Sequence, residues 1–359
     1  MRKFVIAGLF LMAASPSVAA ESGLRVSASI LPVQALARAV MQDPASPGAT
    51  PDLILPPGAS PHSYALKPSE ARALAAADVV FRVGPQLEAF LDRPLANLAT
   101  GAIRIDLIHT PGLTLLPLRE DEDYQHHDHG DHDDDHETHA EHESGHDDDH
   151  ADEHEHEHEH EHEHEDEHEH DGDTPEHVDP HIWLHPGNAI AMVRRIAEVL
   201  SDADPEHAAL YRANATRTIA GLQDAATRFE ADWQARRAAH EAVPFVVFHD
   251  SLHYFEHWSG IQSSGSITLN PEVPPGARHM QELRERMASG KVRCVFIEPQ
   301  LDGRIARQIA QDAELSVHVV DPLGSTNARA TAGDGTGGFK TLVDGIRKAI
   351  DACEAPFRD

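Results

Sequence analysis

The sequence predicts an α/β protein of two lobes, each a mostly parallel sheet flanked by helices, joined by one long helix. Three observations predict it. Short apolar runs alternate with Ala-rich helical segments up to about residue 108, and the same alternation returns after residue 244. Between them, Tyr211, Ala215, Ile219, Leu222, Ala226, Phe229 and Trp233 follow steps of three and four, one apolar stripe on a single helix.

Taken in order, residues 24–30 read as a strand and 32–41 as a helix with Pro32 at its start. Residues 53–55 form a short buried strand, followed by the turn signal Pro56-Pro57-Gly58. A helix over 68–76, a strand over 78–83, a helix over 86–98 and a strand over 103–108 complete the first set. Order resumes at Val178, with a helix over 186–200 and the long one over 204–240, which at 1.5 Å per residue spans about 50 Å. Strands at 244–248, 266–269, 292–297 and 316–320 make the second set. The resulting division is 21–203 for the first lobe, 204–240 for the linking helix and 241–359 for the second lobe.

Residues 1–20 have the form of a secretory signal peptide: Arg2 and Lys3, an apolar run, then small residues ending Val18-Ala19-Ala20. That run is too short to span a bilayer, which takes about 20 apolar residues, and no later stretch is long enough. The expectation is export to the periplasm without membrane insertion. A lipid anchor would need a cysteine at the cleavage site, and the two cysteines are Cys294 and Cys353. In an oxidising compartment they suggest one disulfide between the C-terminal segment and a strand, the alternative being two buried thiols.

The formal net charge of −32 is concentrated in one block. Residues 120–173 hold 28 Asp or Glu and no Lys or Arg, which leaves 33 acids against 29 bases elsewhere. No basic stripe suits a nucleic acid. The block has no apolar face to bury and reads as a disordered insert. The remaining mature chain, roughly 285 residues, suits two domains.

Of the 29 histidines, 17 fall between His126 and His170. Those at 126, 127, 129, 132, 136, 139, 154, 156, 158 and 160, that is His126, His127, His129, His132, His136, His139, His154, His156, His158 and His160, are candidate auxiliary ligands on a flexible segment, each weaker than a preformed site. The string His154-Glu155-His156-Glu157-His158 matches the H-E-x-x-H pattern of zinc proteases, but glutamates at every second residue disfavour the helix that pattern needs. Three other histidines are placed where loops of an open α/β sheet converge: His62 after a short strand and turn, His181 just beyond the insert, and His249 at the end of an apolar run. Asp321 ends another such run. Three imidazoles and a carboxylate suit tetrahedral Zn²⁺. Glu298, also at a strand end, could hydrogen-bond a ligand imidazole or simply cap a turn. The nine remaining histidines read as structural or exposed. Three histidines with an open position also describe a catalytic zinc, and Glu298 is then the one imaginable base.

Several fragments, in this order and spacing, resemble one family. They are Leu53-Ile54-Leu55-Pro56-Pro57-Gly58-Ala59-Ser60-Pro61-His62 with Lys67-Pro68-Ser69, Val83-Gly84-Pro85 with Glu88-Ala89-Phe90, Pro180-His181-Ile182-Trp183-Leu184, and Phe248-His249-Asp250 with Tyr254-Phe255-Glu256. Asn270-Pro271-Glu272, Cys294-Val295-Phe296-Ile297-Glu298-Pro299-Gln300 and Asp321-Pro322-Leu323-Gly324 continue the series. Over essentially the whole mature chain the sequence resembles the periplasmic zinc-binding proteins of bacterial ABC-type zinc importers, His-rich insert included. The resemblance implies a non-enzymatic solute-binding protein with one Zn²⁺ site in the cleft between two lobes, its histidines matching His62, His181 and His249, and a disulfide matching Cys294 and Cys353. Manganese-binding relatives carry a carboxylate at the position of His249, so a histidine there favours zinc. Pro61 stands where some zinc members have a glutamate ligand, which leaves the fourth position to Asp321, or alternatively to water. The implied partners are the importer's membrane permease and a periplasmic zinc chaperone, with the chain acting as a monomer and the insert as auxiliary zinc collector or sensor.

Overall fold

A computed structural model describes residues 23–43, 50–119, 177–239, 244–331 and 335–354. The proposed signal peptide and the acidic His-rich insert lie outside the described residues. The first half runs β1 (Val26–Ala28), α1 (Leu31–Met41), β2 (Asp52–Leu53), α2 (Pro68–Ala75), β3 (Val79–Arg82), α3 (Asp92–Asn97) and β4 (Ile103–Asp106). Next come α4 (Pro186–Ala203) and α5 (Ala208–Ala239). The second half runs β5 (Phe245–His249), α6 (His253–Ser259), β6 (Ser266–Thr268), α7 (Ala277–Arg286), β7 (Cys294–Ile297), α8 (Arg304–Asp312), β8 (Ser316–Val319), α9 (Ala328–Thr331) and α10 (Gly335–Glu354).

The strands form two parallel sheets, ordered β2-β1-β3-β4 and β6-β5-β7-β8. The two orders are the same permutation, so each sheet reverses direction of growth between its first and third strands. Successive strand residues point to opposite faces. Val79 and Phe81 of β3, Phe245 and Val247 of β5, and Cys294 and Phe296 of β7 all enter one large core. Val80 faces a smaller core with Ile54, Leu74 and Leu91, whereas Val246, Val295 and Ile297 face another with Leu283 and Ile309. Both faces of each sheet are therefore covered, which explains why the strands read as continuous apolar runs.

The large core continues from one sheet to the other through α1, α4, α5 and α10. In α5, Tyr211, Ala215, Leu222, Phe229 and Trp233 are buried along the expected stripe. This helix packs on α1 and α4 from one side of the chain and on α10 from the other. A disulfide between Cys294 and Cys353 ties α10 to β7.

The structure departs from the sequence reading at 86–98. In place of one helix there is a 3-10 turn, Ala89–Leu91, and then the short α3. Pro94 is the reason: it has no N–H to donate and its ring would collide with the carbonyl one turn back, so it is tolerated only in the first turn of a new helix. The long helix likewise starts four residues late, after the 3-10 turn Pro205–His207.

Candidate metal centre

His62 lies in the loop from β2 to α2. Pro57 and Gly58 occupy the centre of a tight turn in which Ala59 N–H donates to the Pro56 carbonyl, at 3.1 Å. Gly58 has φ +86°, the left-handed conformation that a glycine adopts without steric cost. The chain then folds back, and His62 is half-buried.

His181 is buried and precedes the 3-10 turn Ile182–Leu184. Its segment is held from the second half of the chain: Trp183 Nε1 donates to the Pro322 carbonyl (2.9 Å), while Tyr254 Oη donates to the Asp179 carbonyl (3.0 Å). Trp258 Nε1 donates to the Leu184 carbonyl (2.7 Å). His249 is the last residue of β5, paired with Thr268 of β6, and is also buried. It stands at the carboxyl end of β5 beside β7, the place where this sheet reverses its order and where open α/β sheets bind ligands.

The three rings meet. Their centroids lie 5.8 Å apart for His62 and His181, and 5.0 Å apart for each of the other two pairs. One nitrogen from each ring falls within 4.8 Å of the others, a group able to hold a metal ion and the only such group of three or more among the described residues.

Carboxylates set the ring orientations. Asp179 Oδ1 accepts from the His181 backbone N–H (2.9 Å) and sits 2.7 Å from its Nδ1. Glu298 Oε1 lies 3.2 Å from His249 Nδ1 and accepts from Ser251 Oγ at 2.8 Å. An ionised carboxylate only accepts, so each Nδ1 carries its proton and each Nε2 keeps its lone pair for an ion. Glu298 Oε1 is thus shared between the His249 ring and the Ser251 hydroxyl.

Burial and charge act on the same groups. Burial would raise the Asp179 carboxyl, but the charge and hydrogen bonds of His181 outweigh it and hold the group well below the usual carboxylate range. Burial would lower His181, and Asp179 raises it instead. His62 lacks such a partner: burial, then the neighbouring His249 and His181, push it down to about 2, so it stays a neutral donor.

Asp321 is not in this group. It lies two residues beyond β8, and its carboxylate accepts from Gln300 Nε2 (2.6 Å), the backbone N–H of Thr326 (2.7 Å) and Leu323 (3.3 Å), and Ser325 Oγ (3.2 Å).

Two further residues escaped the sequence reading. Asp179 shows only as an aspartate before a proline, although the spacing Asp179-Pro180-His181 is the signal that could have found it. Arg119 looks like the last ordinary residue before the acidic block. In the fold its guanidinium bridges buried Asp250 (3.0 Å) and Glu256 (2.6 Å), beside His249.

Residues 26–352 match the family model described as zinc-uptake complex component A, periplasmic, named ZnuA. The chain belongs to the ZnuA family. It is 36% identical over 353 residues to the high-affinity zinc uptake system protein ZnuA of Brucella abortus, covering 98% of each chain. To the protein of that name from Paracoccus denitrificans it is 34% identical over 333 residues, covering 92% of this chain and 91% of the relative. A crystal structure of a ZnuA matches with a TM-score of 0.63 at 20% identity, over 91% of this chain and 99% of that one, a likeness of fold. The ZnuA family binds zinc and consists of solute-binding components of ABC importers, not enzymes. Among the described residues no helix is long and apolar enough to cross a membrane.

Proposed function

We propose that His62, His181 and His249 bind Zn²⁺ through Nε2 of at least the latter two, and that the chain presents this ion to the membrane permease of an ABC zinc importer. The observation that carries the reading is the convergence of three imidazoles within 4.8 Å, two of them oriented by carboxylates. Neutral imidazole suits Zn²⁺, whereas Mn²⁺ prefers oxygen ligands. Asp321 is engaged by four donors, which supports water in the fourth position and makes Asp321 the alternative ligand.

The site joins a loop of the first sheet, the segment after the insert and a strand of the second sheet. A two-lobe division at 21–203 and 241–359 about the helix 204–240 fits that placement. Export and cleavage after residue 20 would put the chain in the periplasm, as a monomer, with a zinc chaperone as a second partner. The His-rich insert would collect zinc or sense its supply, since flexible imidazoles bind more weakly than a preformed site.

The test is competition titration of the full mature chain against a tight zinc chelator, with Mn²⁺ as rival ion. The expected result is one tightest site that prefers Zn²⁺ and that His249→Ala weakens by at least on the order of a hundredfold, beyond the loss that outer partners cause. A preference for Mn²⁺, or an unchanged tightest site in His249→Ala, would overturn it.

A further inference from the structure

His185 and His257 form a second pair of facing imidazoles, away from the three-histidine group. Their ring centroids are 5.8 Å apart with planes tilted by 44°. His62 and His181 have nearly the same relation, 5.8 Å and 48°. With Zn–N bonds of about 2.0–2.1 Å, two imidazoles on one tetrahedral ion place their centroids about 5 Å apart, so a rotamer adjustment that brings the rings about 0.8 Å closer fits the pair to an ion.

The chemistry of each ring fits. His185 is the N-cap of α4, and its Nδ1 accepts from the Gly187 backbone N–H at 3.1 Å. Its proton therefore sits on Nε2 or is displaced from there by a metal, and Nε2 is the ligating atom. His257 is exposed on α6, so an ion held there keeps water ligands. Burial, then the His257 ring, lower His185 to about 4, which keeps it a free base at neutral pH.

The placement links the pair to both halves of the chain. His185 opens α4, four residues after His181, and His257 belongs to α6, eight residues after His249. Trp258, next to His257, already donates to the Leu184 carbonyl, next to His185. The two segments are thus held in register before any ion arrives.

We propose that His185 and His257 form a second, weaker Zn²⁺ site, completed by water, which staples the start of α4 to α6. This goes beyond the transport reading and does not depend on it.

The experiment is zinc-dependent protection from diethyl pyrocarbonate in the full chain, each imidazole being followed separately by peptide mass spectrometry. The expected result is protection of His185 and His257 with one shared midpoint, at higher zinc than His62, His181 and His249 require. His257→Ala should shift the His185 midpoint upward at least tenfold and leave protection of the other three unchanged. His185→Asn, which retains an acceptor for the Gly187 N–H, should do the same to His257. Separate midpoints, reactivity of both rings at millimolar zinc, or an unshifted His185 midpoint in His257→Ala would overturn the site. Loss of protection at His62, His181 and His249 in the unsubstituted chain would instead count against the transport reading.

Discussion

One oxygen of Asp179 serves His181 twice, accepting its backbone N–H at 2.9 Å and holding its Nδ1 at 2.7 Å. Both partners are buried, and Pro180 between them limits the backbone that joins them. The imidazole is therefore fixed in tautomer and direction before a metal arrives.

Asp179→Asn tests that relationship. The amide can still accept from the backbone, but it does not stabilise a charged or metal-bound imidazole as a carboxylate does. Zinc affinity at the tightest site should fall about 10- to 100-fold in a chelator competition. A change under twofold would show that the carboxylate has no part in binding.

Asp321→Asn should have a small effect, a change in zinc affinity of less than about threefold, because this carboxylate lies outside the three-histidine group and is already engaged by Gln300, Leu323, Ser325 and Thr326. A tenfold loss would place Asp321 on the ion.

Glu88 should make stability depend on pH. Its carboxyl is fully buried and accepts from Ser29 Oγ (2.5 Å), Val83 N–H (3.2 Å) and Gly84 N–H (2.9 Å), and burial still pushes it from 4.5 up to about 7. The folded protein thus holds this proton more tightly than the unfolded chain. Its stabilising contribution is complete below pH 4.5 and is lost as pH rises to about 7, a change of about 3 kcal/mol. Denaturant midpoints at pH 5 and pH 8 should differ by correspondingly less in Glu88→Gln than in the unsubstituted chain. Equal differences in the two proteins would refute the assignment.

Removing the disulfide with Cys353→Ser should destabilise the second sheet. The bridge closes residues 59 apart in sequence. On chain-entropy grounds it contributes about 4 kcal/mol, equivalent to a Tm lower by about 10 °C without it. Thermal unfolding in the presence of dithiothreitol should match the variant, and no drop in either would mean that native packing alone holds α10.

Much of the fold was legible in the sequence because strand and helix periods differ. The alternating runs around Val26, Val79, Phe245 and Cys294 all became parallel strands, and the stripe from Tyr211 to Trp233 became the buried face of α5. The helix expected over 86–98 was broken by a local constraint at Pro94, itself visible in the sequence. The convergence of His62, His181 and His249 was suggested by their positions at strand ends and after the insert, together with the family resemblance. Those positions single out the three from the other nine outside the insert, but no sequence pattern states that the three rings meet.

By itself, then, the sequence determined the two-sheet α/β class, the long helix, the acidic His-rich insert and the residue types suited to zinc, because these follow from periodicity and composition. Only the tertiary structure decided which side chains meet. Asp179 turns toward His181, Glu298 comes to His249 because β7 lies beside β5, Asp321 is drawn into its own loop, and Arg119 reaches Asp250 and Glu256. Such contacts join residues up to 137 positions apart. They depend on how sheets and helices pack across the shared core, which no sequence period encodes.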